Sequence, residues 1–206
     1  MSEGTLSIQP GAVVVFEGLD RTGKSTQLSR LRAALSPESA AFAHMPRGFG
    51  RFTKRVYAAL EAEEVDEKPS SGLAQQLAHL ACHAESIRRL TESVASSALV
   101  LDRWWWSTIA YGWYGGSVEQ SGLSEASFRD LIDTIWSPIV PSVVFVFLEP
   151  HQLDSSNNKG VEAGYRALIE QHPDVAVVVH SASEDAVHAL VLETLSERGL
   201  ASGQDQ

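Results

Sequence analysis

An α/β domain built on a parallel sheet is the fold class that this 206-residue sequence predicts. Two observations carry the prediction. Short, continuously apolar runs alternate with stretches of helical periodicity, and such runs suit strands covered on both faces. A segment ending in Gly-Lys-Ser also sits between the first apolar run and the first helical stretch. That context is a strand running through a tight loop into a helix.

The elements follow in order. The first run is Ala12-Val-Val-Val-Phe16, and Ser25 to Leu35 reads as a helix. Leu28, Leu31 and Leu35 fall on one face of it, and Pro37 stands just beyond its end. A weaker second run spans Ala40 to His44. Leu73 to Val94 reads as a long helix and Ala98 to Leu101 as the third strand. Phe128 to Trp136 is helical in pattern, and Val143 to Leu148 is the fourth strand. The Ser/Asn stretch Asp154 to Gly160 is a loop. Glu162 to Gln171 is a helix, Val175 to Val179 the fifth strand and Glu184 to Glu197 the last helix. The tail Ala201 to Gln206 is expected to fray. No internal repeat or dividing linker is visible, so residues 1–206 read as a single domain.

Composition narrows the function classes. Apolar residues make up 44% of the chain and charged residues 20%, enough to bury a core and unlike a disordered chain. Net charge is −10, which disfavours a passive binder of bulk nucleic acid but leaves room for a local site. Cys82 is the single cysteine, which excludes an intramolecular disulfide and a cysteine zinc site. The first twenty residues hold no Lys or Arg, and Val143 to Leu148 is far too short to span a bilayer. The expectation is a cytoplasmic protein without a membrane partner. Glu61 to Glu67 holds five acids in seven residues and reads as a solvated helix end.

The chemistry is concentrated in Gly18-Leu19-Asp20-Arg21-Thr22-Gly23-Lys24-Ser25, a full match to G-x-x-x-x-G-K-[ST]. Its four fixed positions would arise by accident in a chain of this size on the order of one time in a hundred. Glycines let successive N–H groups curl around a phosphate at the positive end of a helix. Lys24 would reach the β/γ-phosphate oxygens, and the Ser25 hydroxyl would hold magnesium. Thr26 continues the cradle. Asp102, ending the third strand, is the candidate carboxylate on the magnesium side.

At these residues the sequence resembles the thymidylate kinase family of P-loop nucleoside-monophosphate kinases. Phe16-Glu-Gly-Leu-Asp-Arg-Thr-Gly-Lys-Ser-Thr-Gln27 is similar to that family's phosphate loop almost letter for letter. Asp102-Arg103-Trp104, with Ser107, Ala110 and Tyr111, resembles its Asp-Arg-Tyr segment, and Leu148-Glu149-Pro150 the entry to its lid. The resemblance implies a three-layer fold with a five-stranded parallel sheet and a short lid at about His151 to Gly160. It implies that ATP with Mg²⁺ phosphorylates a small-molecule acceptor, a deoxynucleoside monophosphate, with dTMP as the leading candidate. Asp20 would face the acceptor sugar. Arg21 matches the catalytic arginine that one subclass carries inside the loop, and the lid here offers only Lys159. Arg103, and Arg47 after the second strand, would grip the acceptor phosphate. Arg47, Arg51, Lys54 and Arg55 reverse the local charge, as a funnel for an anionic substrate would. Tyr111 and Ser107 would line the acceptor pocket. The long helix is a candidate homodimer face.

Three departures fall on the acceptor side. His79 stands where the family has an aromatic that stacks on the base, and His83 where it has an arginine. The two are four residues apart on one helix face. Their spacing would also suit a metal pair, although no acidic third ligand is obvious. The run Trp104-Trp105-Trp106 is heavier than usual, suited to core packing or to a wall for a larger base. The lid is short. These departures keep two alternatives open. One is a kinase for a modified pyrimidine nucleotide or for hydroxymethyluracil within DNA. The other is a nucleotide-binding regulator without catalysis, against which Arg21, Asp102 and Arg103 together argue.

Overall fold

The computed structural model describes residues 6–62, 64–118 and 121–203. Strand β1 (Leu6–Ile8) precedes β2 (Val13–Gly18), α1 (Lys24–Ala34), β3 (Ala40–His44), α2 (Arg51–Leu60), α3 (Gly72–Ser96) and β4 (Ala98–Asp102). A short α4 (Trp105–Ser107) runs directly into a π-helical stretch, Thr108–Tyr114. Then come α5 (Glu125–Trp136), β5 (Val143–Phe147), α6 (Lys159–Gln171), β6 (Ala176–Val179), α7 (Glu184–Glu197) and β7 (Ala201–Gly203).

Five strands form one parallel sheet in the order β3-β4-β2-β5-β6. The expected strands are all present within a residue or two of their bounds. Strand alternation divides the core. Val13 and Val15 of β2, Leu99 and Leu101 of β4 and Val144 and Val146 of β5 face the tryptophan side, with Phe128, Ile132 and Leu168. Val14 and Phe16, with Val100, Phe145 and Phe147, face Leu28 and Leu31 of α1 and Val191 and Leu195 of α7. Three layers result. Side-chain caps start the later helices: Ser71, Ser124, Asn158 and Ser183 each accept a backbone N–H three residues on.

Two segments differ from expectation. Ala201–Gly203, expected to fray, is β7 and pairs antiparallel with β1. The pairing satisfies backbone groups there that apolar patterning cannot reveal; residues 204–206 of the expected tail lie outside the described residues. The basic segment after Arg47 folds as α2, whose Thr53 Oγ1 accepts from Gly50 N at 3.2 Å. The acidic run begins at the end of α2, where Glu61 N–H bonds Tyr57 O, consistent with a helix end; Glu63 lies outside the described residues. The tryptophan run is core: Trp104, Trp105 and Trp106 are 6%, 8% and 0% exposed and pack with Trp136 and His172. Among the described residues no helix is long and apolar enough to cross a membrane.

Candidate active site

In a parallel sheet every strand delivers its following loop to the same edge. Here the loops after β2, β3, β4 and β5 surround one cleft of about 870 Å³, with α3 along one side. Asp20 through Thr26 line it, as do Asp102, Arg103, Ser107, Tyr111, His79 and His83. Gly18 and Leu19 contribute backbone carbonyls behind it.

Gly18 ends β2 at φ 125°, pressed so closely on the Phe147 carbonyl that a Cβ would overlap it. The chain then turns through Arg21 at φ 62°, and α1 starts at Lys24 on Gly23. Lys24 folds back over its own loop, with Nζ bonded to the carbonyls of Gly18 and Leu19 and to Thr22 Oγ1. Burial lowers its pKa to about 8, helped by Arg103 and opposed by Asp20, Asp102 and Glu17. The ammonium is therefore charged at neutral pH and short of anionic partners. A phosphate would supply them.

Among the described residues, Arg21 and Arg103 are the non-glycine residues with positive φ. That conformation costs on the order of 1–3 kcal/mol and clusters at functional sites. Arg103 is turned toward the loop, bonding Gly18 O at 3.1 Å and Ser107 Oγ at 2.9 Å and pairing with Asp20. Burial disfavours its charge, but the tyrosines Tyr165 and Tyr111 and the carboxylates of Asp20 and Glu17 more than offset that, so its pKa is raised. Arg21 is solvated, 64% exposed, with Nε 3.6 Å from Asp154 Oδ2. It lines the cleft yet is lightly tethered, so its guanidinium is free to swing.

Asp102 is ionised. Burial alone would raise its pKa, but the bond from His44 Nδ1 at 2.9 Å and the charges of Arg103 and Lys24 outweigh burial and lower it. Ser25, exposed at the start of α1, lines the same cleft. His79 and His83 line the α3 side. Burial lowers their pKa values to about 4 and about 3, so both rings are neutral at pH 7. Arg47 is exposed and outside the cleft lining, as are Arg51, Lys54 and Arg55. The turn after Pro46 carries Arg47 outward, and the basic side chains of α2 face solvent.

Several residues of the site were not singled out from the sequence, Glu17 among them although it lies within the loop motif. Glu17, fully buried, accepts from Trp104 N at 2.6 Å, Ser107 N at 3.1 Å, Ser107 Oγ at 2.6 Å and Tyr165 OH at 2.9 Å. Its parity with Val13 and Val15 could have placed it on the tryptophan side. The lid is latched through Asn157 and Ser156 as well as by the Arg21–Asp154 pair. Asp20 N donates to Asn157 Oδ1 and Asn157 Nδ2 to Asp20 O, both at 2.8 Å, while Ser156 Oγ donates to Asp20 Oδ2 at 3.0 Å. Lys159 and Gly160, expected in the lid, already form the first turn of α6. His44 ends β3 as Asp102 ends β4, a strand-end position that could have marked it.

A phosphate loop between a strand and a helix, a strand-end carboxylate and arginines converging on one cleft define a P-loop phosphotransferase. The comparisons with known proteins agree and narrow the class. The family model described as thymidylate kinase matches residues 16–130. A thymidylate kinase of Chlorobium luteolum is 27% identical over 219 residues, covering 90% of this chain and 97% of its own. One from Solidesulfovibrio magneticus is 27% identical over 205 residues, covering 84% and 93%. Among solved structures, the thymidylate kinase of Ehrlichia chaffeensis superposes with a TM-score of 0.69 at 22% identity, covering 90% of this chain and 98% of that one. The Candida albicans enzyme gives 0.67 at 21%, with 96% of each chain covered. The chain belongs to the thymidylate kinase family, and it is a nucleotide kinase with the P-loop kinase fold.

Proposed function

We propose that this kinase transfers the γ-phosphoryl group of ATP to the 5′-phosphate of dTMP. The observation that carries the reading is the division of one cleft into two chemistries. Lys24, Arg21, Arg103, Asp20 and Asp102 gather at the loop end, while α3 contributes the neutral Gln76, His79 and His83. Phosphates suit the first and a base the second. The curated relatives are named thymidylate kinases, which supports dTMP as the acceptor.

In this reading Lys24 turns from its own carbonyls to the β/γ-phosphate oxygens. Arg21 leaves Asp154 and clamps the moving phosphoryl group, where spread charge makes one guanidinium worth orders of magnitude in rate. Arg103 grips the acceptor phosphate, and Asp20 and Tyr111 border the acceptor sugar. Ser107 supports Arg103 by its 2.9 Å bond. A cavity of about 90 Å³ behind Thr22 and Thr26, bounded by His180 and Ser181, would take the donor's base. The Ser25 hydroxyl and the ionised Asp102 carboxylate fit magnesium, a hard cation that takes its remaining ligands from water and phosphate. When bound, it neutralises charge on the β and γ oxygens. The chain acts as one domain, with a short lid from His151 to Asn158 handing over to α6.

The test is a phosphoryl-transfer panel with ATP and magnesium on wild type and Arg21→Ala. Acceptors are dTMP, dUMP, 5-hydroxymethyl-dUMP, the other deoxynucleoside monophosphates and an oligonucleotide containing hydroxymethyluracil. The expected result is turnover of dTMP, with kcat falling about 10³-fold in Arg21→Ala while ATP still binds. Phosphorylation of the oligonucleotide with dTMP inert would overturn the acceptor. Nucleotide binding without turnover of any acceptor would overturn catalysis itself.

A further inference from the structure

The wall of the cleft formed by α3 holds a hydrogen bond whose direction fixes a chemical identity. His83 is 2% exposed, and its Nδ1 lies 3.2 Å from Trp136 Nε1 of α5. The rings meet edge to face at 5.2 Å and 72°. An indole N–H can only donate. Nδ1 must therefore accept and carries no proton. Burial, with His79 acting in the same direction, keeps the ring neutral at physiological pH. A neutral imidazole with a bare Nδ1 bears its proton on Nε2.

That nitrogen meets no acceptor among the described residues, and the ring lines the cleft. His83 thus offers an incoming base a donor and never an acceptor. Its neighbours are less committed. Gln76, 5% exposed and seven residues earlier on the same helix, carries an amide that can turn to match either pattern. His79, one turn before His83, has no such indole to fix its tautomer.

We propose that His83, held in its Nε2–H tautomer by Trp136, is a specificity-determining donor that accepts a pyrimidine with a 4-oxo group and rejects one with a 4-amino group. The proposal rests on reading the cleft as the acceptor site of a pyrimidine kinase. A 4-oxo oxygen completes the Nε2–H bond. A 4-amino group brings donor against donor, so the Nε2–H bond is not made. Sites built to hydrogen-bond a substrate group discriminate strongly against analogues that cannot make the bond. Trp136 acts through His83 and is a positioning residue.

The test compares kcat/KM for dTMP and 5-methyl-dCMP, which differ only at position 4. Wild type is expected to prefer dTMP by about a hundredfold or more. Trp136→Phe frees Nδ1, so His83 can adopt either tautomer and offer Nε2 as an acceptor. The ratio should then fall at least about tenfold through a gain with 5-methyl-dCMP, an effect that loosened packing alone would not give. His83→Gln, whose amide can turn, should lose discrimination in the same direction and serves if Trp136→Phe does not fold. Side-chain ¹⁵N spectra of wild type should show the proton on Nε2. An unchanged ratio in a folded variant, or a proton on Nδ1, would overturn the proposal while leaving the kinase reading intact. A wild type inert toward dTMP, with the Nε2–H tautomer still seen, would overturn the underlying reading and the proposal with it.

Discussion

Glu17 carries more of the site than its place in the loop motif suggests. It links β2 to the segment after β4 and, through Tyr165, to α6, so one buried carboxylate ties the phosphate loop to the acceptor side. Burial raises its pKa, while Arg103 and the donors from Ser107, Trp104 and Tyr165 pull the other way. Its oxygens are not equivalent. Oε1 takes two backbone N–H groups, which can only donate. Oε2 takes the hydroxyls of Ser107 and Tyr165, which can reverse, and the Gly18 N–H at 3.3 Å, which cannot. Glu17→Ala should therefore cost about 3–5 kcal/mol in urea denaturation. Glu17→Gln should cost less, because its amide can donate to the hydroxyls although it gives up the Gly18 bond. Equal losses would contradict this account. At this scale the sequence pointed to Asp20 to Thr26, Asp102, Arg103, Ser107, Tyr111, His79 and His83, all on or beside a motif and all lining the cleft. It did not reveal His44, Asn157 or Trp136, whose roles arise from partners 58, 137 and 53 residues away. Arg47 was legible as a basic residue but not as one turned outward.

At the scale of elements, α6 lies unusually close to the π-helical stretch. Gly160 and Gly164 face Tyr114, and a Cβ on Gly164 would come within 2.8 Å of Tyr114 Cβ. The approach also brings Tyr165 to Ser107 and Glu17. Two effects compete in Gly164→Ala. Helix propensity favours alanine by about 1 kcal/mol. Overpacking against a tightly placed ring costs about 1–3 kcal/mol. The second should win, so the variant is expected to melt below wild type; a raised Tm would show that α6 has room to retreat. The five strands were legible as continuous apolar runs and the longer helices by the period that one buried face writes into sequence. The π-helical stretch was not, since Trp105 to Tyr114 is apolar on nearly every side and has no single period to read. In α2 the apolar residues Phe52, Val56 and Leu60 stand four apart, but its start rests on a threonine bonded to a glycine backbone, which leaves no cap signal in the sequence.

For the whole molecule, the balance of its histidines sets the acid limit. Burial lowers the pKa values of His79, His83, His172 and His188. Their folded values lie below the unfolded one near 6.5, so the unfolded chain takes up protons first as pH falls. Stability from these groups is complete above about pH 6.5 and drains away toward pH 4. His83 alone should remove about 2 kcal/mol by pH 5. Denaturation midpoints at pH 7, 6 and 5 should fall steadily, and His83→Gln should flatten part of that fall; a level profile would refute the assignment. The three-layer plan was readable from the alternation of strands and helices. The second small sheet was not, because three-residue strands pair through backbone alone and leave little mark on side-chain pattern.

That small sheet sets Leu6 opposite Gly203 in antiparallel register. The first and last described residues therefore sit side by side, and a few glycines and serines could splice them into a closed ring. The ring could then be cut elsewhere, the exposed acidic stretch after α2 offering one site away from the main sheet. Gene order and spatial order are separable in this kinase, and the phosphate loop could be moved from the head of the polypeptide to its far end without disturbing the cleft it serves.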